Sequence, residues 1–291
     1  MVNAMKEYIC LDVGGTEIKT ACVDEAGNLM QPVRHFPARA GENAENLLAH
    51  FAEIIRETKP APEQSAGIRL AFPGPFDYER GICLMQGLAK YDALYGLDLR
   101  RELGTRLGVG PEDIRFANDA SAFALGEMGF GAAKGFERMM FVCIGTGCGS
   151  GFGLNGLLAP RGTPGVPDSG YIYDAPFLDA RIDDYLSRRG LIGLTRQRMG
   201  EALDGKALAQ RALEGDPGAL DCFREFGARL RNALIPFLDG FRPEIISLGG
   251  QIMKSGAFFL GPLEAECAGR GIRTAVTEST SLRTMQGLTR I

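Results

Sequence analysis

Short apolar runs that end at glycine or polar turns dominate the start of the chain. One run occupies residues 8–13 and ends at a Gly-Gly-Thr turn. The strand pattern resumes at residues 17–23, and after a second polar turn a further run occupies residues 29–36. This succession predicts a strand, a glycine turn, a second strand, another turn and a third strand.

The apolar positions change to helical spacing at residues 46–59, which predicts an amphipathic helix. The repeating positions are Leu47, Leu48, Phe51, Ile54 and Ile55. Pro60 and Pro62 are expected to end this helix, because proline has no N–H to donate to the preceding turn. A strand is predicted at residues 65–72, and a rigid Pro-Gly-Pro turn follows at residues 73–75.

A polar pair then interrupts the apolar pattern at Asn118 and Asp119. Residues 97–107 are predicted to form a helix and residues 114–117 a strand, so the pair lies where that strand ends and an Ala-rich helix begins. In open α/β sheets this edge binds ligands. Two interpretations stay open: a helix cap, or a catalytic base held ionised by the helix dipole.

The opening pattern recurs half a chain later. Residues 138–144 are predicted to form a strand, a glycine-rich turn with Thr146 and Gly147 follows, and Asn155-Gly156 signals a tight hairpin. One glycine turn alone is weak evidence for phosphate binding. Its repetition predicts a duplicated architecture with two hairpins that face phosphate.

The pattern next predicts a Gly- and Pro-rich loop, two helices and a buried strand. These lie at residues 161–174, 180–194, 207–238 and 243–248. The second helix is expected to be interrupted near Asp216-Pro217. Gly249 and Gly250 close the last strand, where they would either pack under a nucleotide base or let a helix pack closely on the strand.

Composition limits the classes of function. A chain of 291 residues favours two domains or one large α/β domain, and a net charge of -4 without long basic runs argues against nucleic acid as a partner. No run of eighteen apolar residues occurs, and the segment from Met1 to Cys10 has no hydrophobic signal region. We therefore expect a cytoplasmic protein without a membrane partner.

Metal and thiol chemistry receive little support from the residue types. The seven cysteines are scattered and odd in number, which is typical of reduced, buried thiols. Cys143 and Cys148 lack the further ligands that a structural zinc needs, so we expect no structural zinc. Only two histidines occur, His35 and His50, and both are expected at the surface.

The first glycine turn has the chemistry of a phosphate site. Glycines let backbone N–H groups approach an anion, and Thr16 adds a hydroxyl. Asp12, just before the turn, is placed to orient a hydrated magnesium ion. The alternative is a plain hairpin turn, and the segment does not match a Walker A motif.

Five segments, in this order, resemble the motifs of the ROK family of sugar kinases, in the actin-like ATPase-domain superfamily. They are residues 11–19, residues 73–75 with Asp77 and Gly81, residues 118–120, residues 145–147 and residues 248–250. The resemblance implies an α/β, two-lobed actin-like (ribonuclease H-like) ATPase fold with a duplicated mixed-sheet core, and ATP and sugar in the cleft. The expected lobes are residues 1–116, joined by about 278–291, and residues 117–277.

On this resemblance, Asp119 is the base that accepts a proton from the sugar hydroxyl as the hydroxyl attacks the γ-phosphate of ATP. Asn118 would bond a neighbouring hydroxyl, Gly74 would lie on the sugar side, and Asp12 would act on Mg²⁺ through phosphate or water. The implied ATP-binding residues are Gly14, Gly15, Thr16, Lys19, Thr146, Gly147, Gly249 and Gly250.

The chain departs from the family pattern where the sugar is recognised. Asp168 and Tyr171 stand in place of the acid and the histidine of the usual Glu-x-Gly-His, and Asp183 stands where the family has a later sugar-binding glutamate. Residues 174–187 lack the cysteine-rich zinc motif, and residues 86–88 read Gln-Gly-Leu where Asn-Leu is usual. The family's glucose contacts therefore do not carry over directly.

The resemblance thus predicts an ATP-dependent kinase that acts on a hexose or hexose derivative. The alternative is a non-catalytic sugar- or nucleotide-binding protein with a degenerate sugar site. The family's repressors carry an N-terminal DNA-binding region, for which the position of Asp12 leaves no room. A small-molecule sugar is the expected partner, and homodimers occur among such kinases.

Overall fold

The structure is a computed structural model that describes residues 5–59 and 61–291. Its contacts divide the chain into two compact units. The first consists of Met1–Phe130 with Ser281–Ile291, and the second is Gly131–Thr280. The sequence-based boundary at residue 116 falls inside a strand, whereas the first unit continues through the next helix, because that helix packs on the first sheet.

The first unit is built on a five-stranded mixed sheet and a small hairpin. Its strands are β1 (Glu7–Val13), β2 (Glu17–Asp24), β3 (Arg34–Pro37), β4 (Gly67–Phe72), β5 (Phe76–Asp77), β6 (Ile82–Cys83) and β7 (Ile114–Asn118). The sheet order is β3-β2-β1-β4-β7, and β5 pairs with β6. Both pairings among β1, β2 and β3 are antiparallel, while β4 runs parallel to β1 and β7 to β4.

Alternate residues of β1 face opposite sides of this sheet. Ile9 and Leu11 belong to a large core that also contains the apolar faces of helices α1 (Ala44–Thr58) and α2 (Leu99–Leu107). Cys10 belongs to a smaller core on the other face, which includes a residue of α3 (Asp119–Phe130). Because side chains alternate along a strand, Asp12 shares the face of Cys10.

The second unit repeats the topology of the first. Its strands are β8 (Arg138–Ile144), β9 (Cys148–Leu154), β10 (Leu157–Leu158), β11 (Pro176–Phe177), β12 (Ala180–Arg181), β13 (Ile245–Gly249) and β14 (Arg273–Val276). The main sheet has the order β10-β9-β8-β13-β14, with antiparallel pairs on one side of β8 and parallel pairs on the other. The predicted duplication is therefore confirmed.

Five helices complete the second unit. They are α4 (Ile182–Tyr185), α5 (Arg188–Met199), α6 (Gly205–Leu213), α7 (Pro217–Phe241) and α8 (Gly261–Gly269). The predicted single helix at residues 180–194 is wrong, because the Ser187 side chain accepts the N–H of Gly190 and starts a new helix there. The interruption before Pro217 is confirmed, and the Asp216 side chain caps α7.

The last helix, α9 (Thr280–Leu288), returns to the first unit and packs against α3. A Cβ on Gly126 would stand 1.8 Å from the Arg283 carbonyl oxygen, and one on Gly287 would stand 1.8 Å from the Ala122 oxygen. The two helices therefore touch through their backbones. Arg283 also lies 3.3 Å from the buried carboxylate of Glu127.

Two predictions near the amino terminus need correction. The third strand covers only Arg34–Pro37 rather than residues 29–36, since Pro32 cannot donate to a ladder and Leu29 forms only an isolated bridge. The first helix ends at Thr58, and Pro62 begins a separate short turn. Pro60 lies outside the described residues. So do residues 1–4, which belong to the segment that is expected to lack a signal region.

Across the described part of the chain, no helix is both long and apolar enough to cross a bilayer.

Candidate functional site

The β1–β2 turn carries the first predicted phosphate motif. The Gly14 N–H donates to the Glu17 carbonyl at 3.0 Å, and a Cβ at Gly14 would stand 2.8 Å from that same oxygen. The turn therefore requires glycine at this position. Gly15 and Thr16 form its exposed tip, where their backbone groups can meet an anion.

Asp12 lies directly below this turn and is linked to the C-terminal segment. The hydroxyl of Ser281 hydrogen-bonds the Asp12 carboxyl, and the Lys19 ammonium donates to the Ser281 oxygen at 2.9 Å. Asp12 and Lys19 are also cross-strand partners in the β1–β2 ladder. The ladder and the last helix thus place one carboxylate, one hydroxyl and one ammonium together.

The electrostatic environment of Asp12 favours a cation. Desolvation and, to a smaller extent, the charge of Asp119 raise the pKa of Asp12, whereas Ser281 and Lys19 lower it, and the net pKa is about 6. The Asp12 side chain keeps partial access to solvent. A divalent ion beside this carboxylate would offset the repulsion between the two acids.

Asn118 caps the helix that Asp119 begins. The Asn118 side-chain oxygen accepts the N–H of Ala120 at 3.0 Å and that of Ser121 at 3.2 Å. Its amide group donates to the Tyr78 hydroxyl at 3.2 Å. Asn118 therefore supplies the cap of α3.

Asp119 stands exposed at the carboxyl end of β7. One carboxylate oxygen accepts the N–H of Ala120 at 2.9 Å. Desolvation by the surrounding protein raises the pKa of Asp119, whereas the Ala120 N–H and the charge of Lys90 lower it. The carboxylate thus combines solvent access with a raised pKa, which are the properties of a general base.

The Pro-Gly-Pro turn approaches the same region through Tyr78. A Cβ at Gly74 would stand 3.3 Å from the Tyr78 hydroxyl. That hydroxyl donates to the Phe72 carbonyl at 3.0 Å, so it holds the turn and Asn118 at the end of β4. Gly74, Asn118 and Asp119 are therefore brought together.

In the second unit, the predicted phosphate turn and Asp183 form one cluster. The Cys148 N–H donates to the Asp183 carboxylate at 2.7 Å, and a Cβ at Gly147 would stand 2.8 Å from the same oxygen. The other oxygen of Asp183 bonds Arg189 at 2.8 Å. Asp183 therefore supports the turn of Gly147 and the exposed Thr146.

Asp168 and Tyr171 lie in the loop that precedes this cluster. Asp168 is exposed, and the Tyr171 N–H donates to the Ser169 hydroxyl at 3.2 Å. The loop is anchored by the buried Ile172, whose N–H donates to the Ser150 hydroxyl at 2.9 Å. Within residues 5–59 and 61–291, no group of three His, Cys, Asp or Glu residues could hold a metal ion.

Gly249 ends β13, and Gly250 has a left-handed backbone with a φ of 99°. A Cβ at Gly250 would stand 2.2 Å from the Ile144 carbonyl oxygen. The Gly250 N–H donates to the Thr280 hydroxyl at 2.8 Å. Close packing against β8 is thus one reason for glycine here, and short 3₁₀ turns follow instead of an α-helix.

Sequence reasoning missed four residues around the site of the first unit. They are Tyr78, Lys90, Tyr91 and Ser281. The chain offers little local signal for them, because each acts through a contact with a distant segment. Of the four, only Tyr78 has a signal in the sequence, since it directly follows Asp77, which belongs to one of the five segments that resemble the family's motifs.

Comparison with known proteins gives this arrangement a family context. The family model described as ROK family matches residues 8–284. Glucokinase of Thermotoga maritima is 28% identical over 279 residues, which cover 88% of this chain and 86% of that protein. N-acetyl-D-glucosamine kinase of Pasteurella multocida is 29% identical over 263 residues, 82% of each chain.

A solved structure shares the fold. The structure of a ROK family glucokinase from Streptomyces griseus in complex with glucose and AMPPNP superposes with a TM-score of 0.79 at 21% identity, and the match covers 98% of each chain. This confirms the expected actin-like ATPase fold with its duplicated mixed sheet. A regulator is similar too: the xylose repressor of Bacillus subtilis is 25% identical over 89% of this chain and 68% of its own.

Proposed function

Because the chain belongs to the ROK family, we propose that it is an ATP-dependent carbohydrate kinase acting on a hexose or hexose derivative. The observation that carries this proposal is the division of work between two neighbours. Asn118 caps α3, so that Asp119 presents an exposed carboxylate with a raised pKa beside Asp12. The similarity to glucokinases and N-acetyl-D-glucosamine kinases supports a sugar as the acceptor.

Asp119 accepts the proton of the acceptor hydroxyl while the hydroxyl oxygen forms a bond to the γ-phosphorus. The bond between the γ-phosphorus and the bridging oxygen breaks, and ADP leaves. Phosphoryl transfer needs positioning and charge neutralisation more than covalent help. Asn118 orients the acceptor with its side-chain amide, and the Gly74 turn borders the acceptor.

Each unit carries residues that are proposed to contact ATP. In the first unit, the Gly14–Thr16 turn contacts phosphate and Lys19 adds positive charge. In the second unit, the Thr146–Gly147 turn contacts phosphate, and Gly249 and Gly250 border the adenosine. The nucleotide-analogue complex of the Streptomyces griseus relative supports ATP as the donor. Asp12 suits Mg²⁺ because this ion is usually bound through one or two carboxylates, and the charge of Asp119 acts on the half-buried Asp12 carboxylate. The ion, when bound, neutralises charge on the phosphates.

The sugar-facing residues of the second unit are proposed with different roles. Asp168 and Tyr171 are placed on the anchored loop and would contact the acceptor. Asp183, expected to bind sugar, accepts the Cys148 N–H at the phosphate turn, and its backbone N–H donates to the Tyr173 carbonyl at 3.0 Å. Through these two bonds Asp183 would link the loop that carries Asp168 and Tyr171 to the phosphate turn of Thr146 and Gly147.

The test is ADP release from Mg-ATP across hexoses, amino sugars and polyols, with Asp119→Asn as the comparison. We expect turnover with at least one acceptor, and a loss of about 10²–10⁴-fold in kcat for the variant. Nucleotide affinity should change little, since the substitution is isosteric. If no acceptor gives turnover above that of Asp119→Asn, the protein is the non-catalytic binder that the similarity to a repressor suggests.

A further inference from the structure

The loop between β6 and α2 is fixed beside the first phosphate turn. Tyr91 is fully buried, its N–H donates to the Ala40 carbonyl at 2.7 Å, and its hydroxyl donates to the Gly14 carbonyl at 2.8 Å. The Asp92 carboxylate accepts the N–H of Leu88 at 3.1 Å and that of Ala89 at 3.2 Å. Hydrogen bonds therefore hold the loop in place on both sides of Lys90.

Two left-handed residues flank Lys90 in this loop. Ala89 has a φ of 55° and Tyr91 a φ of 56°. This conformation is unfavourable for a non-glycine residue, and it persists where surrounding contacts enforce it. Lys90 is thus held in one backbone position.

The Lys90 side chain extends along the phosphate turn. Its Cδ atom lies 3.6 Å from the point where a Cβ on Gly15 would stand, and its positive charge acts on Asp119. Among the described residues, the Lys90 ammonium has no hydrogen bond or ion pair. By contrast, the Lys19 ammonium already bonds Ser281 and lies 3.6 Å from Glu17.

We propose that Lys90 is a further catalytic residue, whose ammonium binds the γ-phosphoryl group of ATP during its transfer. The inference rests on the proposed kinase function and assigns the cation that stabilises the transferred group. Transfer spreads negative charge over three phosphoryl oxygens, and a fixed cation stabilises that charge. The turn supplies neutral N–H groups, whereas the three open N–H donors of Lys90 supply a full positive charge.

Equilibrium titration of the full-length protein with Mg-ATP and with Mg-ADP, without sugar, tests this role. The test variant is Lys90→Met, which keeps the length of the side chain. The control is Lys134→Met, at an exposed lysine of the second unit. We expect Lys90→Met to bind ATP about 10-fold or more weakly, as loss of a charge-assisted bond implies, and to bind ADP as the wild type does.

Kinetics supply the second measurement. Lys90→Met should lower kcat, and Lys90→Arg should recover part of it because the positive charge remains. Equal losses of ATP and ADP affinity would show that Lys90 only holds the loop, and unchanged affinity for both would remove it from the site. Either result overturns the proposal.

The two proposals fail separately in these experiments. In one outcome, the wild type releases no ADP in response to sugar while Lys90→Met still loses affinity for ATP and not for ADP. That result would contradict only the proposed kinase function. An active wild type whose variant keeps its preference between ATP and ADP would contradict only the role of Lys90. A folded wild type that binds neither nucleotide would overturn both.

Discussion

Asn118 and Asp119 show how two adjacent polar residues acquire different roles from one strand end. The sequence leaves a cap and a base as alternatives, since both residue types favour a helix start. In the structure the Asn118 oxygen accepts the N–H groups of both Ala120 and Ser121, whereas the Asp119 oxygen accepts only that of Ala120. The capping role therefore belongs to Asn118, and the role of base is the one proposed for Asp119.

The raised pKa of Asp119 predicts the acid side of the pH–rate profile. A carboxyl accepts a proton only above its pKa, so activity should fall as the pH drops through that value. Because desolvation raises the pKa of Asp119, the fall should lie above the value of about 3.9 for an ordinary Asp. The measurement is kcat/KM against pH at saturating Mg-ATP.

Lys90→Met provides the internal check on this profile. The charge of Lys90 lowers the pKa of Asp119, so its removal should move the acid limb to higher pH. Lys134→Met should leave the limb in place. An acid limb at or below the ordinary aspartate range would contradict the assignment of Asp119 as the base.

For single residues, the sequence predicts the site residues that lie inside a motif. It does not predict those that contact a motif from a distant part of the chain. Asp12 and Asp119 follow from strand ends and turns, which are local features. Ser281 is 262 positions from Lys19, and only the return of the last helix brings the two together. No periodicity in a single sequence encodes such a contact.

Helix α3 depends on α9 for its position, and glycines make their contact close. The strands and most helices follow from apolar spacing, but this contact does not, because Gly126 and Gly287 resemble ordinary helix-weakening residues in the sequence. Their function becomes visible only in the distance to the opposite backbone. The boundary at Ser187 was likewise missed, since apolar spacing continues across it.

Gly126→Ala should destabilise the first unit by about 1–3 kcal/mol or more. The added methyl would stand 1.8 Å from the Arg283 carbonyl oxygen, so the helices must separate. The proposed kinase activity should fall as well, because α3 begins at Asp119. Urea or thermal unfolding of the purified variant measures the loss.

Gly129→Ala in the same helix is the matched control. Its methyl would meet only the flexible side chain of Arg290, at 2.9 Å, and alanine favours the helix by about 1 kcal/mol over glycine. We expect unchanged or slightly higher stability. Equal effects of the two substitutions would show that helix propensity, not backbone contact, governs this position.

The whole molecule contains two sheets of the same topology, one in each unit, and the chain is divided unequally between the two units. Each unit has its own core, and the second is formed from one continuous segment. The duplication was predictable because the strand–glycine turn–strand pattern occurs twice. The division after Phe130 was not, because it depends on which sheet α3 packs against.

The C-terminal segment Ser281–Ile291 should therefore stabilise the first unit selectively. It buries Met285 and Leu288 completely, and its Gln286 side chain donates to the Gly27 carbonyl at 2.8 Å. Two such buried side chains contribute about 1.5–3 kcal/mol each. Their loss would remove a large part of a typical stability of about 5–15 kcal/mol.

Deletion of this segment, followed by hydrogen exchange with mass spectrometry, tests the unequal division. We expect β1, β4, β7 and α3 to lose protection, while β8, β13 and α7 keep it, because the second core contains no residue of the segment. Ser281→Ala in the full-length chain separates the packing of α9 from the hydrogen bonds of its first turn, and should leave protection nearly unchanged. Similar losses in both units would mean that the units unfold as one, and that α9 supports the whole chain.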